Sequence, residues 1–171
     1  MYKSLMNIAP RVQDYLAAQQ CAYDVVTHAH SANSVETAHE AHVPAGALAK
    51  AVVLKDGDGY VLAVLPSTRH VVLSKLGRAL HREPLELASE SELSDLFGDC
   101  EWGALPPLGR PYGLPTVVDE ALDREREIYF EAGDHEHLVH MAQAEFYRLT
   151  SDALRARFSR ADEEEDRRWM Q

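Results

Sequence analysis

The stretch from Ala49 to Leu65 limits the possible folds more than any other part of the chain. It holds two apolar runs, Ala51-Val52-Val53-Leu54 and Tyr60-Val61-Leu62-Ala63-Val64-Leu65, separated by Asp56-Gly57-Asp58-Gly59. Asp-Gly steps supply the positive φ angles that short turns need, so the segment predicts a β-hairpin. Both arms are nearly continuous apolar runs, so both faces are expected to be covered and the hairpin to be central in its sheet. One residue departs from this pattern. Lys50 stands between two alanines at the mouth of the first arm and is one of four lysines in the chain. An ammonium beside a buried strand is costly unless it reaches water or an anion. A lysine at a strand end commonly reaches water along its own stem. Local sequence leaves Lys50 open between that role and an anion-binding one.

The remaining elements follow from periodicity and turn chemistry. Apolar residues at Val12, Tyr15 and Leu16 predict an amphipathic helix over Ala9 to Gln20, entered through Pro10. Tyr23 to His28 reads as a strand, and Ser34 to about His42 as a helix stopped by Val43-Pro44. Val71-Val72-Leu73 reads as a strand, Ser74 to Leu80 as a helix and Leu85 to Ala88 as a short strand or turn. Ser91 is expected to cap a helix through Leu93, Leu96 and Phe97, closed by Gly98. Glycine and proline clusters make Trp102 to Pro115 a loop of imposed shape. Strands follow at Thr116–Asp119, Glu127–Glu131 and His137–Met141, with a helical turn at Glu120–Asp123 and a helix at Gln143–Leu149. Residues 151–171 are charged and helix-prone and read as a C-terminal tail beyond a domain of residues 1–150. The mixture predicts an α+β single domain with a central mixed β-sheet flanked by short helices. There is no Gly-x-Gly-x-x-Gly strand-helix turn, which argues against a dinucleotide fold.

Composition narrows the function classes. A chain of 171 residues with 46% apolar and 26% charged content suits one soluble globular domain. No window approaches the ~20 apolar residues of a membrane span, and Met1 to Asn7 lacks the apolar core of a secretion signal. Cys21 and Cys100 show no metal or redox spacing and read as reduced thiols of a cytoplasmic protein. The net charge of −11 argues against a broad electrostatic grip on nucleic acid. It leaves room for a small pocket that takes one end of a nucleic acid. Five of the negative charges sit in the run Asp162-Glu163-Glu164-Glu165-Asp166.

Among nine histidines, His39-Glu40-Ala41-His42 misses the spacing of the zinc-protease signature. His135 and His137 share a strand face while His140 points away, so a zinc site would need a further ligand such as His28 or His30. Scattered surface histidines are the simpler reading, with a histidine-based metal-binding protein as an alternative. No Gly-x-Ser-x-Gly elbow is present, and neither cysteine has a base nearby in sequence. The loop Gly103-Ala104-Leu105-Pro106-Pro107-Leu108-Gly109 is more informative. Glycines let its backbone approach a ligand, and prolines hold its shape, so it can present main-chain groups without a large ordering cost.

Four marks then occur in order: Tyr23 to His28 at a strand end, Ala49-Lys50 opening a strand, the Gly-x-x-x-Pro loop Gly103-Ala104-Leu105-Pro106-Pro107, and the turn Ala132-Gly133. Their order and spacing resemble the YbaK family of aminoacyl-tRNA deacylases, also found as the editing domain inserted in bacterial prolyl-tRNA synthetases. The resemblance covers roughly Val12 to Leu149. It implies a free-standing, cytoplasmic trans-editing hydrolase that cleaves the ester between a wrongly attached amino acid and the 3′ terminal adenosine of a tRNA. The family's invariant lysine falls on Lys50, implied as the catalytic residue. The implied substrate-binding residues are His28, Ser67, Gly103, Ala104, Leu105, Pro106, Pro107, Gly133 and His135, with Leu65 as a further pocket wall. The implied partners are the aminoacyl-tRNA 3′ end and an aminoacyl-tRNA synthetase, with no membrane, metal or cofactor. An activated ester needs positioning and charge stabilisation more than a strong nucleophile, which suits a site without a triad. The turn Gly133-Asp134-His135-Glu136-His137 departs from the family in its acid and histidine content. That departure and the acidic charge leave a non-catalytic ligand- or tRNA-end-binding module as the alternative.

Overall fold

The computed structural model describes residues 8–31 and 34–162. The readings made for Met1 to Asn7 and for the acidic run after Asp162 lie outside the described residues.

The hairpin forms as β2 (Leu48–Asp56) and β3 (Gly59–Pro66), after β1 (Asp24–Thr27). Its register runs from Ala49 opposite Pro66 to Asp56 opposite Gly59. Asp56 Oδ1 closes the turn by accepting from the N–H groups of Asp58 and Gly59 at 2.7 and 3.1 Å. The left-handed residue is Gly59, with φ 143°, rather than Gly57.

Three further strands complete the centre of the sheet: β6 (Thr116–Asp119), β7 (Glu127–Glu131) and β8 (His137–Ala142). With β9 (Leu154–Ala156), the order is β1-β8-β7-β2-β3-β6-β9, and β5 (Glu86–Leu87) also pairs with β2. The hairpin is antiparallel, but its outer edges pair in parallel with β7 and β6, which makes the sheet mixed. The fold is the α+β single domain that the sequence predicts.

Both hairpin faces are covered, as the apolar runs require. On one face, Ala49, Val53, Leu62 and Val64 share a core with Val12 and Leu16 of α1 (Pro10–Ala18) and with Phe97 and Phe146. On the other, Leu54, Val61, Ala63 and Leu65 pack with Phe158 and with Leu76 of α3 (Leu73–Leu80). A third, smaller cluster joins Leu48 and Leu138 to Ala38 of α2 (Ser34–Ala41).

Three local expectations are corrected. The strand expected at Val71–Leu73 is β4 (Arg69–Val71), and Leu73 already opens α3. Helix α4 (Glu90–Leu96) is capped by Ser89, not Ser91. Ser89 Oγ accepts from the Glu92 N–H while the Glu92 carboxylate accepts from the Ser89 N–H. Ser91 has no acid three residues on, so only the Ser89 start makes this reciprocal pair. The segment after Ser151, expected to be helix-prone, forms strands instead. β9 pairs with β6, and β10 (Ser159–Ala161) pairs with β4. Between them Phe158 is fully buried and its N–H donates to Asp119 Oδ2. Burying such a side chain contributes about 1.5–3 kcal/mol, more than a short helix's propensity can oppose.

Candidate active site

The site arises where two parallel strands part. β2 and β7 pair through Leu48–Tyr129 and Ala49–Phe130 and no further. The next residues, Lys50 and Glu131, flank the gap that opens. The loop carrying Gly103 closes it by docking on the turn after β7. The Gly133 N–H donates to the Ala104 carbonyl, and the Glu101 N–H donates to the Gly133 carbonyl. The Ala9 N–H bonds the Ala132 carbonyl, so the start of α1 braces the same turn. Gly133 has φ 133°, and a Cβ there would lie 2.8 Å from the Ala9 nitrogen. Both conformation and space therefore demand glycine.

The resulting cavity is about 80 Å³ and is lined by Leu48, Ala49, Lys50, Ala51, Gly103, Leu105 and Glu131. Among the described residues Lys50 forms no hydrogen bond or ion pair. Burial pushes its pKa below the usual lysine range, and the carboxylate of Asp162 pulls it partly back. Asp162 follows β10, where its N–H donates to the Thr68 carbonyl and its carboxylate meets His70 Nδ1 at 3.1 Å. Gly103 and Leu105, on the opposite wall, have backbone N–H groups engaged by no hydrogen bond among the described residues.

The Glu131 end is crowded with polar groups. Glu131 is 6% exposed, and its Oε1 accepts from Thr37 Oγ1 at 2.8 Å. The same oxygen faces His135 Nδ1 at 3.4 Å. The other ring nitrogen, His135 Nε2, donates to the Trp102 carbonyl at 2.6 Å. Burial raises the Glu131 pKa, while Thr37 and His135 work against that rise. Burial also opposes charge on His135, but the Trp102 carbonyl and the Glu131 carboxylate outweigh it and raise its pKa. Oε1 thus takes both the Thr37 hydroxyl and the His135 ring contact. Gly103, at φ 82°, lies against that ring, since a Cβ on it would be 3.4 Å from His135 Cε1.

The candidate residues separate into two groups. Lys50, Gly103 and Leu105 line the cavity, and Gly133, Ala104 and His135 build its wall. His28, 7% exposed, lies close enough to Glu131 to act on its pKa. Its Nδ1 donates to the Ala29 carbonyl, and its Nε2 is buried without a partner. The others face elsewhere. The Ser67 hydroxyl donates to the Ala45 carbonyl. Leu65 belongs to the core beneath the far face, and Pro106 and Pro107 are buried outside the cavity lining. His137 and His140 diverge from His135. His137 meets Asp134, and His140 sits between Asp24 and Glu127. Among the described residues no group of three or more donors is placed to hold a metal ion.

Sequence reading missed Glu131 and Thr37. Glu131 ends an alternating strand and looks like a solvated terminus; only its register beside Lys50 reveals it. Nor is any helix among the described residues long and apolar enough to cross a membrane.

Comparisons with known proteins bear on the family and the fold. One solved structure, described as a trans-editing enzyme for prolyl tRNA synthetase, is 26% identical with a TM-score of 0.77, covering 90% of this chain and 97% of that one. The hypothetical protein APE2540 is 21% identical with a TM-score of 0.78, covering 88% of this chain and 99% of that one, and shows the shared fold. A protein from Marinobacter aquaeolei VT8, described as a signal transduction protein, is 26% identical with a TM-score of 0.71. That match covers 89% of this chain but 30% of the other. No curated protein matches. The profile of the aminoacyl-tRNA editing domain matches residues 28–149, from the buried His28 to the end of the helix Gln143–Leu149, and the chain belongs to that family.

Proposed function

We propose that this protein is a trans-editing deacylase, hydrolysing the ester between a misattached amino acid and the 3′ terminal adenosine of a tRNA. The observation that carries the reading is the desolvated Lys50, unpaired among the described residues, across a small cavity from a loop whose Gly103 and Leu105 N–H groups bond none of them. An ammonium kept free of internal carboxylate bonds is available to an anion, here the terminal phosphate or the oxygen that gains charge as the ester is attacked. Preorganised donors of this kind act most strongly where water is excluded. The Gly103 and Leu105 N–H groups supply further donors, and the docked loop holds them in position before substrate arrives. The nucleophile is water, assisted by a ribose hydroxyl of the substrate. No protein nucleophile is required, because the ester is already activated.

The volume of about 80 Å³ suits a compact aminoacyl group such as alanyl or seryl. A cavity of this kind is a sieve: it shuts out larger cognate residues by size and admits the smaller ones that a synthetase pocket rejects poorly when one methylene separates two substrates. Likeness to the prolyl-tRNA synthetase trans-editing structure makes mischarged tRNAPro the first substrate to test. The test is a panel of mischarged tRNAs incubated with the purified protein and with the Lys50→Ala variant. Hydrolysis of at least one species by the wild type, lost in the variant with melting unchanged, supports the reading. Turnover of none, or equal turnover by both proteins, overturns it.

A further inference from the structure

The cavity carries opposite charges at its two ends, and the proposed function accounts for one of them. Lys50 serves the phosphate or ester. Glu131 is an unusual lining residue for a site that binds a polyanion. A buried carboxylate beside a phosphate site is costly unless something cationic meets it, and His135 meets only one of its two oxygens. Its Oε1 is occupied by Thr37 and His135, whereas Oε2 has no hydrogen bond among the described residues and is not among the sealed, unpartnered atoms. That oxygen keeps some accessible surface, and Glu131 lines the cavity. Lys50 does not neutralise it, since no ion pair joins the two.

His28 stands near the same end, but its Nδ1 donates to the Ala29 carbonyl at 2.7 Å and its Nε2 is sealed within the fold, so it does not reach the cavity. Resting on the deacylase reading, we infer that Glu131 forms a subsite for the α-ammonium of the aminoacyl group, with His135 and Thr37 holding the carboxylate in place. A primary ammonium has three donors on one compact charge, one of which the second carboxylate oxygen can accept. It stands one carbon from the ester carbonyl, so anchoring it at Glu131 would carry the reacting carbon toward Lys50 and the Gly103 loop.

The test uses a hydrolysis-resistant pair, 3′-alanylamino-3′-deoxyadenosine and its 3′-propionylamino counterpart, which lacks only the ammonium. Titration calorimetry on the full chain compares both ligands on wild type and on Glu131→Gln, which keeps the side chain's size and its contact with Thr37. The wild type is expected to bind the alanyl form at least tenfold more tightly, and the difference to fall within twofold in Glu131→Gln. Lys50→Ala leaves the alanyl preference in place. Equal binding of the two ligands by wild type, binding of neither, or a preference that survives Glu131→Gln overturns the subsite. The wild-type arm needs no variant and decides the matter if Glu131→Gln fails to fold. An alanyl preference without hydrolysis of any mischarged tRNA would remove the deacylase reading and keep the ammonium site. Hydrolysis with equal binding of the two ligands would do the reverse.

Discussion

Lys50 and Lys55 lie five residues apart on one strand and meet opposite fates. Lys55 donates to Glu92 and lies 3.8 Å from Glu86, and its pKa is raised, chiefly by Glu92. It lines a broad groove of about 580 Å³ at the hairpin tip, where Arg82 also grips Asp56 through two nitrogens. Lys50 has no ion pair among the described residues, is partly desolvated and lines a cavity of about 80 Å³. The larger space is electrostatically closed, because its main cations already hold carboxylates. In the smaller one the lysine and one carboxylate oxygen bond none of the described residues. Volume is a poor guide to function here, and unsatisfied charge in a cleft is a better one.

The largest effect should come from testing that contrast directly. Lys50→Ala is expected to lower deacylation of a responsive mischarged tRNA by roughly 10²–10³-fold, the scale for removing a preorganised charge stabiliser. Lys55→Ala should leave the rate within twofold. Single-turnover rates with both variants check this, and a comparable loss in both would erase the distinction between the two sites. Next in size is an aromatic difference. Trp102 is 65% exposed beside Gly103, in a notch that also includes Leu105, whereas no Trp, Tyr or Phe lines the tip groove. An exposed indole at the rim is placed to stack on the terminal adenine, and such stacking is worth about 1–3 kcal/mol. Trp102→Ala should therefore raise KM about five- to a hundredfold with kcat little changed. A fall in kcat at constant KM would overturn that stacking role.

The contrast between the lysines was half visible in the sequence. Lys50 stood out as a charge at the mouth of an apolar strand, and Gly103 and Gly133 stood out as breakers. Those features are local, and the hairpin and the loop follow from such local signals. Glu131 and Thr37 were not visible. Their importance depends on β2 pairing with β7 in parallel and on α2 packing across that edge, both long-range events that leave no periodic mark. The strands after Ser151 were hidden for a similar reason. Their charged residues suit a solvated helix, and only pairing with β6 and β4, with Phe158 between them, makes them part of the sheet. That pairing carries Asp162 to Lys50. Phe158→Ala should accordingly cost about 3–5 kcal/mol, the usual range for a buried phenylalanine, measured by urea unfolding. A cost under 1 kcal/mol would make the segment an appendage after all.

The smallest effect concerns how Lys50 keeps its charge. Burial lowers its pKa and Asp162 partly restores it. If the ammonium is the working form, deacylation falls as pH rises through the lowered folded-state pKa, at a lower pH than an exposed lysine would give. Asp162→Asn removes the restoring charge, so it should move the descending limb of the pH–rate profile further down while leaving the rate near neutrality almost unchanged. The stability consequence has a definite sign. The folded pKa lies below the unfolded one, so the protonated lysine disfavours folding. Its full cost is present below the folded pKa and is relieved as pH rises toward the unfolded value. Lys50→Met should then raise Tm at pH 7, and the gain should shrink as pH climbs through that window. At Lys55, whose pKa is raised by Glu92, the signs reverse, and Lys55→Met should lower Tm slightly at pH 7. Melting curves of both variants between pH 7 and 10.5 test the pair of signs, and a Tm that drops in both would mean that Lys50 is held by contacts as satisfied as those of Lys55.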